Sequence, residues 1–164
     1  MSAPISGVRI VQALGIAGSA FVSGSILSIS FITTPALLDY PSQLASQWSD
    51  VYTRGSRIMP PLALLSSSML AYSSYALSNH GVDATKPKLY ALAALLTIGI
   101  VPYTFGVMWN TNNKLKARND EIGVMDKAYV QETAELAKKW NWLNAGRGAL
   151  PLMGSLVGIV ALVL

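Results

Sequence analysis

Four long apolar segments recur along the chain, and polar stretches separate them. A helix needs about 20 residues to cross the ~30 Å hydrocarbon core of a bilayer. Four uncharged segments approach or exceed that length, and they cover about residues 10–34, 59–77, 89–109 and 148–164. We therefore predict an all-α protein, an integral membrane four-helix bundle that forms a single four-span membrane domain over residues 1–164.

Prolines close or interrupt these segments. Pro35 follows the first segment, and Pro60 and Pro61 come directly after the first residue of the second. Proline is tolerated in the first turn of a helix, where its missing N–H has no partner to lose. We therefore expect Pro60 and Pro61 in the first turn of the second span, and a kink at Pro102 inside the third.

A different pattern follows the third segment. Hydrophobic residues recur every three or four positions over about residues 126–143, whereas Lys127, Glu135, Lys138 and Lys139 fall mostly on the opposite face. This periodicity predicts an additional amphipathic helix between the third and fourth spans.

Small residues recur at helical spacing in two of the segments. Gly15, Ser19 and Ser23 are spaced by four in the first, and Gly154 and Gly158 are spaced by four in the last. Such spacing allows the backbones of two membrane helices to approach closely. We expect these positions to lie inside the bundle.

The composition favours a membrane environment. Hydrophobic residues make up 52% of the chain and charged residues 12%, whereas about a quarter of the residues in an average soluble domain are charged. The alternative is a soluble all-α bundle with unusually apolar helices. Soluble helices carry a polar face, and these segments have no charged one.

Basic residues are distributed unevenly between the polar stretches. The side with the N-terminal tail and the 78–88 loop holds Arg9, Lys86 and Lys88, and the opposite side holds the other nine of the 12. Because cytoplasmic loops carry the excess of Lys and Arg, we predict a cytosolic amphipathic helix and lumenal or external termini. The formal net charge of +4 suits anionic lipid headgroups, and no nucleic-acid-binding motif accompanies it.

The length and charge of the first span predict the membrane in which the protein resides. Its length and single basic residue, Arg9, differ from those of a cleaved signal peptide. We therefore expect a permanent anchor in the endoplasmic reticulum membrane of a eukaryote, or in the plasma membrane of a bacterium.

The chain lacks the residues of several common chemistries. It has no cysteine and a single histidine, His80, which excludes thiol-based membrane enzymes, iron–sulfur clusters and a bis-histidine haem within one chain. No glycine-rich phosphate loop, Ser–His–Asp set or H-E-x-x-H motif occurs. His80 lies in the stretch SNHGVD, which is typical of a turn. We therefore predict no metal site and no motif-bound nucleotide.

Two polar groups of residues remain as candidates for function. Trp140, Asn144 and Arg147 share one helical stripe at the membrane boundary, where ionisable residues are candidates for function; alternatively, Arg147 reaches a lipid phosphate and Trp140 anchors the interface. Asn112 and Asn113 follow the third span directly. Their alternative role is helix capping, for which asparagine is favoured.

Three motifs resemble those of the anthrone oxygenase family, small four-helix membrane proteins. They are WSDVYTRGSRIMP with Trp48 and Tyr52, PYTFGVMWNTNNKL with Thr104, Asn112 and Asn113, and WNWLNAGR with Trp140, Asn144 and Arg147. The resemblance spans nearly the whole chain. One departure is Asn110, where relatives often have proline.

The resemblance implies an activity. Members oxidise a tricyclic anthrone to the anthraquinone with O₂ as co-substrate and without metal or flavin. The acidic CH₂ of the anthrone gives an electron-rich enolate, which passes one electron to O₂. Radical recombination then gives a hydroperoxide that loses water, so that the substrate supplies the reducing power.

The same resemblance assigns roles to the motif residues. Trp48, Tyr52 and Trp140 would stack on the rings, and Thr104 would contact the substrate. Four donors would stabilise the enolate as an oxyanion hole does, namely Asn112, Asn113, Asn144 and Arg147. The general base stays open between Asp50, water and a deprotonated phenol of the substrate.

A second class of function is compatible with the sequence. A small non-catalytic membrane carrier or assembly scaffold would use the amphipathic helix as a docking face. The spans contain hydroxyl side chains but no charged ones, and hydroxyls can hydrogen-bond to their own helix. A homo-oligomer, with a second copy that completes the pocket, is also compatible with the sequence.

Overall fold

The protein is all α-helical in the computed structural model, which describes residues 3–80, 83–120 and 126–164, with side chains from Gly7 onward. Four long helical elements follow one another. The first contains α1 (Ala3–Ser28), a π-helical turn (Ile29–Thr33) and α2 (Thr34–Leu38), and the second is α3 (Leu44–Asn79). The third contains α4 (Thr85–Ile98), α5 (Ile100–Tyr103), a π-helical turn (Thr104–Met108) and α6 (Trp109–Asp120), and the fourth is α7 (Lys127–Val163).

The four elements pack in a ring. Helix α1 packs against α3 and α7, and α4 packs against the same two helices. Arg9, His80, Lys86 and Leu162 surround one cavity, so that the start of α1, the end of α3, the start of α4 and the end of α7 meet at one end of the ring. Residues 81–82 of the predicted 78–88 loop lie outside the described residues.

Three of the described helices are long and apolar enough to cross a membrane. They cover Gly7–Leu38, Thr85–Asp120 and Lys127–Val163. The second half of α3 is less hydrophobic than these three helices, because it contains serines such as Ser66 and Ser67. These hydroxyls are bonded internally: Ser66 donates to the carbonyl of Leu62 at 2.8 Å and Ser67 to that of Ala94 in α4 at 2.9 Å.

The expectation that Pro60 and Pro61 begin a helix is wrong. They lie inside α3, which starts at Leu44 and continues through both. The polar stretch before them is helical because Leu44 and Trp48, one turn apart, are both buried against the rest of the bundle. Neither proline can donate to the carbonyl four residues earlier, so the usual helical partners of Ser56 and Arg57 are missing.

The predicted separation between an amphipathic helix and a fourth span is also corrected. Helix α7 runs without a break from Lys127 to Val163, through the predicted boundary at residues 143–148. Asn144, which the sequence analysis set beyond the amphipathic stretch, is fully buried in the middle of this helix. The helix continues because its polar side chains bond to the first and third elements: Asn144 donates to Ile26 and Ser30, and Arg147 donates to Thr104.

The third element has an interruption near Pro102. Helix α4 ends at Ile98, and Gly99 separates it from α5. Pro102 cannot donate to Ile98, and its ring clashes with that carbonyl in a regular helix. The helix is therefore interrupted at Gly99, one turn before Pro102, and the π-helical turn of Thr104–Met108 follows α5 directly.

The predicted small-residue positions lie at helix contacts. Ser19 donates to the carbonyl of Pro151 at 2.8 Å, and Ser23 donates to that of Gly148 at 2.8 Å. A Cβ atom on Gly154 would lie 2.7 Å from Oγ1 of Thr97 and 2.9 Å from the carbonyl oxygen of Ala93. This part of the sequence analysis is confirmed.

We expect Gly154→Ala to destabilise the bundle. The added methyl group would press against the α4 backbone, and overpacking typically costs about 1–3 kcal/mol. Gly24→Ala is the matched control, since a Cβ there meets nothing within 4 Å. Thermal unfolding in detergent should show a lower midpoint for Gly154→Ala alone, and equal midpoints for both variants would contradict the packing described here.

Candidate active site

A cavity of about 180 Å³ lies between α3, α7 and the two π-helical turns. Four of the sequence-predicted residues line it: Tyr52, Thr104, Trp140 and Arg147. The remaining lining is mostly apolar and consists of Ile29, Val51, Gly55, Ser56, Met59, Pro60, Ile100, Val101, Phe105 and Trp109. The cavity is therefore an apolar space with polar groups on the Arg147 side.

Arg147 is held by two side chains, and its Nε has no partner. Its Nη2 donates to Oδ1 of Asn144 at 2.7 Å, and its Nη1 donates to Oγ1 of Thr104 at a longer 3.3 Å. The buried Nε has no hydrogen-bond partner. The guanidinium is thus oriented by its two Nη atoms.

Arg147 is the only charged side chain among the described residues that line the cavity. Two other basic residues in the described part of the chain do have a carboxylate partner. Nη2 of Arg118 lies 2.7 Å from Oε2 of Glu132, and Nζ of Lys138 lies 2.8 Å from Oε1 of Glu135. Arg147 has no such partner among these residues. An unpaired charge in an apolar site is costly, and an anion bound in the cavity would relieve that cost.

Asn144 connects Arg147 to the first long helix. Its Nδ2 donates to the carbonyl of Ile26 at 3.0 Å and to Oγ of Ser30 at 2.8 Å, and its Oδ1 accepts from Arg147. Both hydrogen-donating positions of the amide are therefore used within the protein. Asn144 is completely buried and does not line the cavity. Its contacts support a role in orienting Arg147.

The aromatic residues form two layers. Trp48 stacks on Tyr52 with a centroid distance of 5.1 Å and meets Trp140 edge to face at 5.6 Å. Tyr52 and Trp140 line the cavity, whereas Trp48 lies behind them and is 1% exposed. Trp140 also donates from Nε1 to Oδ1 of Asn112 at 2.8 Å. Trp48 and Asn112 therefore support the wall of the cavity.

Asp50, Asn112 and Asn113, also predicted as site residues, do not line the cavity. Asp50 and Asn113 are exposed, and Asn112 is buried with an unpartnered Nδ2. Residues one or two positions apart on a helix point in different directions. Asp50 therefore does not share the buried face of Trp48, and Asn113 does not share that of Asn112. The described residues contain no group of three or more His, Cys, Asp or Glu suited to a metal.

Several lining residues were missed by the sequence analysis. Gly55, Ser56, Met59 and Pro60 follow the predicted Tyr52 at three- and four-residue spacing along α3, which is the signature of one helical face. The predicted second span began only at Met59, which hid that signal. Phe105 and Trp109, by contrast, depend on a π-helical turn, which apolar periodicity does not reveal.

Both π-helical turns border the site. Ile29 of the first and Thr104 and Phe105 of the second line the cavity, and Ser30 of the first binds Asn144. A π-helical turn bonds five residues back and changes the register of the helix that follows, and such turns are frequent at functional sites. Oγ1 of Thr34 donates to the carbonyl of Ile29 at 2.9 Å, five residues earlier.

Comparison with known proteins gives a consistent result. The sequence model of the anthrone oxygenase family matches residues 48–157. The chain is 34% identical over 161 residues to anthrone oxygenase nsrD of Aspergillus novofumigatus, which covers 93% of each chain. It is 32% identical over 154 residues to anthrone oxygenase AgnL2 of Paecilomyces divaricatus, with 90% of this chain and 92% of the relative covered.

A third relative has a related name. The chain is 32% identical over 146 residues to the noranthrone monooxygenase of Aspergillus flavus, covering 85% of this chain and 67% of the relative. No solved structure matches the chain. The family match contains all nine predicted site residues, from Trp48 to Arg147.

Proposed function

The chain belongs to the anthrone oxygenase family, and we propose on that premise that it is an anthrone monooxygenase. It oxidises a tricyclic polyketide anthrone to the anthraquinone with O₂. The balanced reaction consumes one anthrone and one O₂ and forms one quinone and one water. The relatives' names support the class of substrate, and the ring substituents stay open.

The unpaired guanidinium of Arg147 in an apolar cavity is the observation that supports this function best. Deprotonation of the anthrone CH₂ spreads negative charge onto the carbonyl oxygen. Arg147 stabilises this charge more than the neutral substrate, and that difference lowers the barrier. Asn144 and Thr104 keep the guanidinium in position through the hydrogen bonds described above.

The apolar walls suit the other requirements of the reaction. Tyr52 and Trp140 offer aromatic surface to flat rings, with Trp48 packed behind them. Ligand pockets commonly occupy about 300–1,000 Å³, so a cavity of about 180 Å³ suits a compact, flat molecule. A larger anthrone would extend towards the exposed edge of the cavity at Phe105 and Trp109, residues that are 63% and 50% exposed.

The reaction proceeds without a resident cofactor in this proposal. The enolate gives one electron to O₂, and the two radicals combine to form a carbon–oxygen bond. Protonation yields a hydroperoxide, which loses water to give the quinone carbonyl. Asn112 and Asn113 stay predicted donors to the enolate, although neither lines the cavity.

The membrane arrangement is part of the proposal. We infer four spans, because α3 also exposes large apolar side chains, including Leu64, Leu65 and Tyr75. The organisms of the relatives are fungi, which favours the endoplasmic reticulum membrane. The basic excess puts both termini in the lumen. In this membrane both the apolar substrate and O₂ reach the cavity from the lipid.

Single cysteines test this orientation, since the chain contains none of its own. In intact microsomes, an impermeant maleimide is expected to label Ser42→Cys but not Ser78→Cys. Both positions are exposed and lie at opposite ends of the bundle. Labelling of Ser78→Cys alone would show that the protein has the opposite orientation, with both termini in the cytosol.

The function is tested by turnover. Purified protein in lipid vesicles is expected to accelerate quinone formation from emodin anthrone above its spontaneous oxidation. Empty vesicles and heat-denatured protein are the controls. Failure of folded, reconstituted protein to accelerate the reaction with any of a panel of anthrones would reject the enzyme and favour the carrier or scaffold.

A further inference from the structure

We infer that Tyr52 is the general base of the proposed reaction and takes the proton from the anthrone CH₂. This inference rests on the proposed function and assigns a step that the sequence left open. Asp50, the carboxylate considered first, is exposed and does not line the cavity. Tyr52 and Arg147 are the only described lining residues with an ionisable side chain, and Arg147 stays protonated.

Two cationic side chains belong to the surroundings of Tyr52. Nζ of Lys116 lies 4.7 Å from the centre of its ring. The guanidinium of Arg147 lines the same cavity as Tyr52. Opposite charges attract, so both cations favour a negative charge on the oxygen of Tyr52 during the reaction.

The position of the ring is fixed from behind. Tyr52 stacks on Trp48, with ring centroids 5.1 Å apart and planes inclined by 22°. Trp48 is in turn packed edge to face on Trp140. A base needs hydrogen-bond reach to the proton that it removes, and the stacking holds the ring of this cavity-lining residue in one orientation.

The proton and electrons balance over the cycle. The Tyr52 phenolate takes one proton from the CH₂, and the electron pair of that C–H bond spreads into the enolate beside Arg147. O₂ then adds at the carbon as described, which gives a peroxide anion. The Tyr52 phenol returns its proton to this anion, which regenerates the phenolate, and the hydroperoxide loses water.

Tyr52→Phe tests this role, because it keeps the ring and its stacking and removes only the hydroxyl. We expect kcat to fall about a hundredfold, the lower range for general acid–base catalysis, with little change in KM. Tyr75→Phe is the matched control on the same helix, since Tyr75 is 65% exposed and away from the cavity. It is expected to keep the wild-type rate.

Two readouts distinguish a base from a residue that only supports the pocket. The defect of Tyr52→Phe should shrink as the pH rises and free anthrone ionises by itself. A substrate deuterated at the CH₂ should show a larger isotope effect on kcat in the variant, because proton removal becomes the slow step.

The outcomes separate this inference from the proposed function. An inactive wild-type protein would reject the function itself. An active wild-type protein with a fully active Tyr52→Phe variant would reject only the base. A loss of equal size at every pH, with an unchanged isotope effect, would also overturn the inference.

Discussion

Arg147→Met is expected to lower kcat for anthrone oxidation roughly a thousandfold, since losing one preorganised donor to a developing anion commonly costs 10²–10³. Methionine keeps much of the apolar stem and removes the charge from the cavity. The enolate would then have to form beside apolar walls without its counter-charge. Because this charge acts on the reacting state, KM should change much less than kcat.

A matched exposed arginine provides the control for this prediction. Arg57 lies on α3, is exposed and does not line the cavity, so Arg57→Met should keep wild-type turnover. Arg147→Met should also insert and fold, because removing an unpaired charge from an apolar site offsets the loss of the partner of the buried Oδ1 of Asn144. Wild-type kcat in folded Arg147→Met would remove Arg147 from the chemistry.

Asn144→Leu is expected to lower kcat on the order of 10²-fold and to destabilise the protein. The substitution leaves the carbonyl of Ile26 and the hydroxyl of Ser30 without their donor, and it frees Nη2 of Arg147. Each buried group that loses its partner costs about 1–3 kcal/mol. Initial rates and thermal unfolding of the purified variant measure the two effects separately.

A double variant shows whether Asn144 acts through Arg147. If it only orients the guanidinium, Asn144→Leu in the Arg147→Met background should cause no further loss of kcat, and the two effects would not add. Fully additive losses would mean that Asn144 contacts the substrate by itself, as the sequence analysis first predicted.

The helical framework was predictable because it depends on local signals. Uncharged apolar segments identified the three helices that are long and apolar enough to cross a membrane, and the spacing of Ser19, Ser23 and Gly154 identified helix contacts. The limits of α3 and α7 were not predictable in this way. Leu44 and Trp48 are in a polar stretch, and they become helical and buried only through packing against distant parts of the chain.

The site was predictable in part for a related reason. The motifs identified Tyr52, Thr104, Trp140 and Arg147, which line the cavity, but nearness in sequence also suggested Asp50 and Asn113. Those two residues are exposed because neighbours on a helix face different directions. Phe105 reaches the cavity from a π-helical turn, and such a change of register leaves no clear mark in the hydrophobic pattern.

Oxidation of emodin anthrone under ¹⁸O₂ tests the central claim most directly. The measurement uses chelator-treated protein in vesicles and counts only the quinone formed above the spontaneous rate. We predict that this excess survives the chelator and carries one ¹⁸O atom per quinone, with the second atom in water. No excess from folded protein, or an excess of unlabelled quinone, would contradict the account.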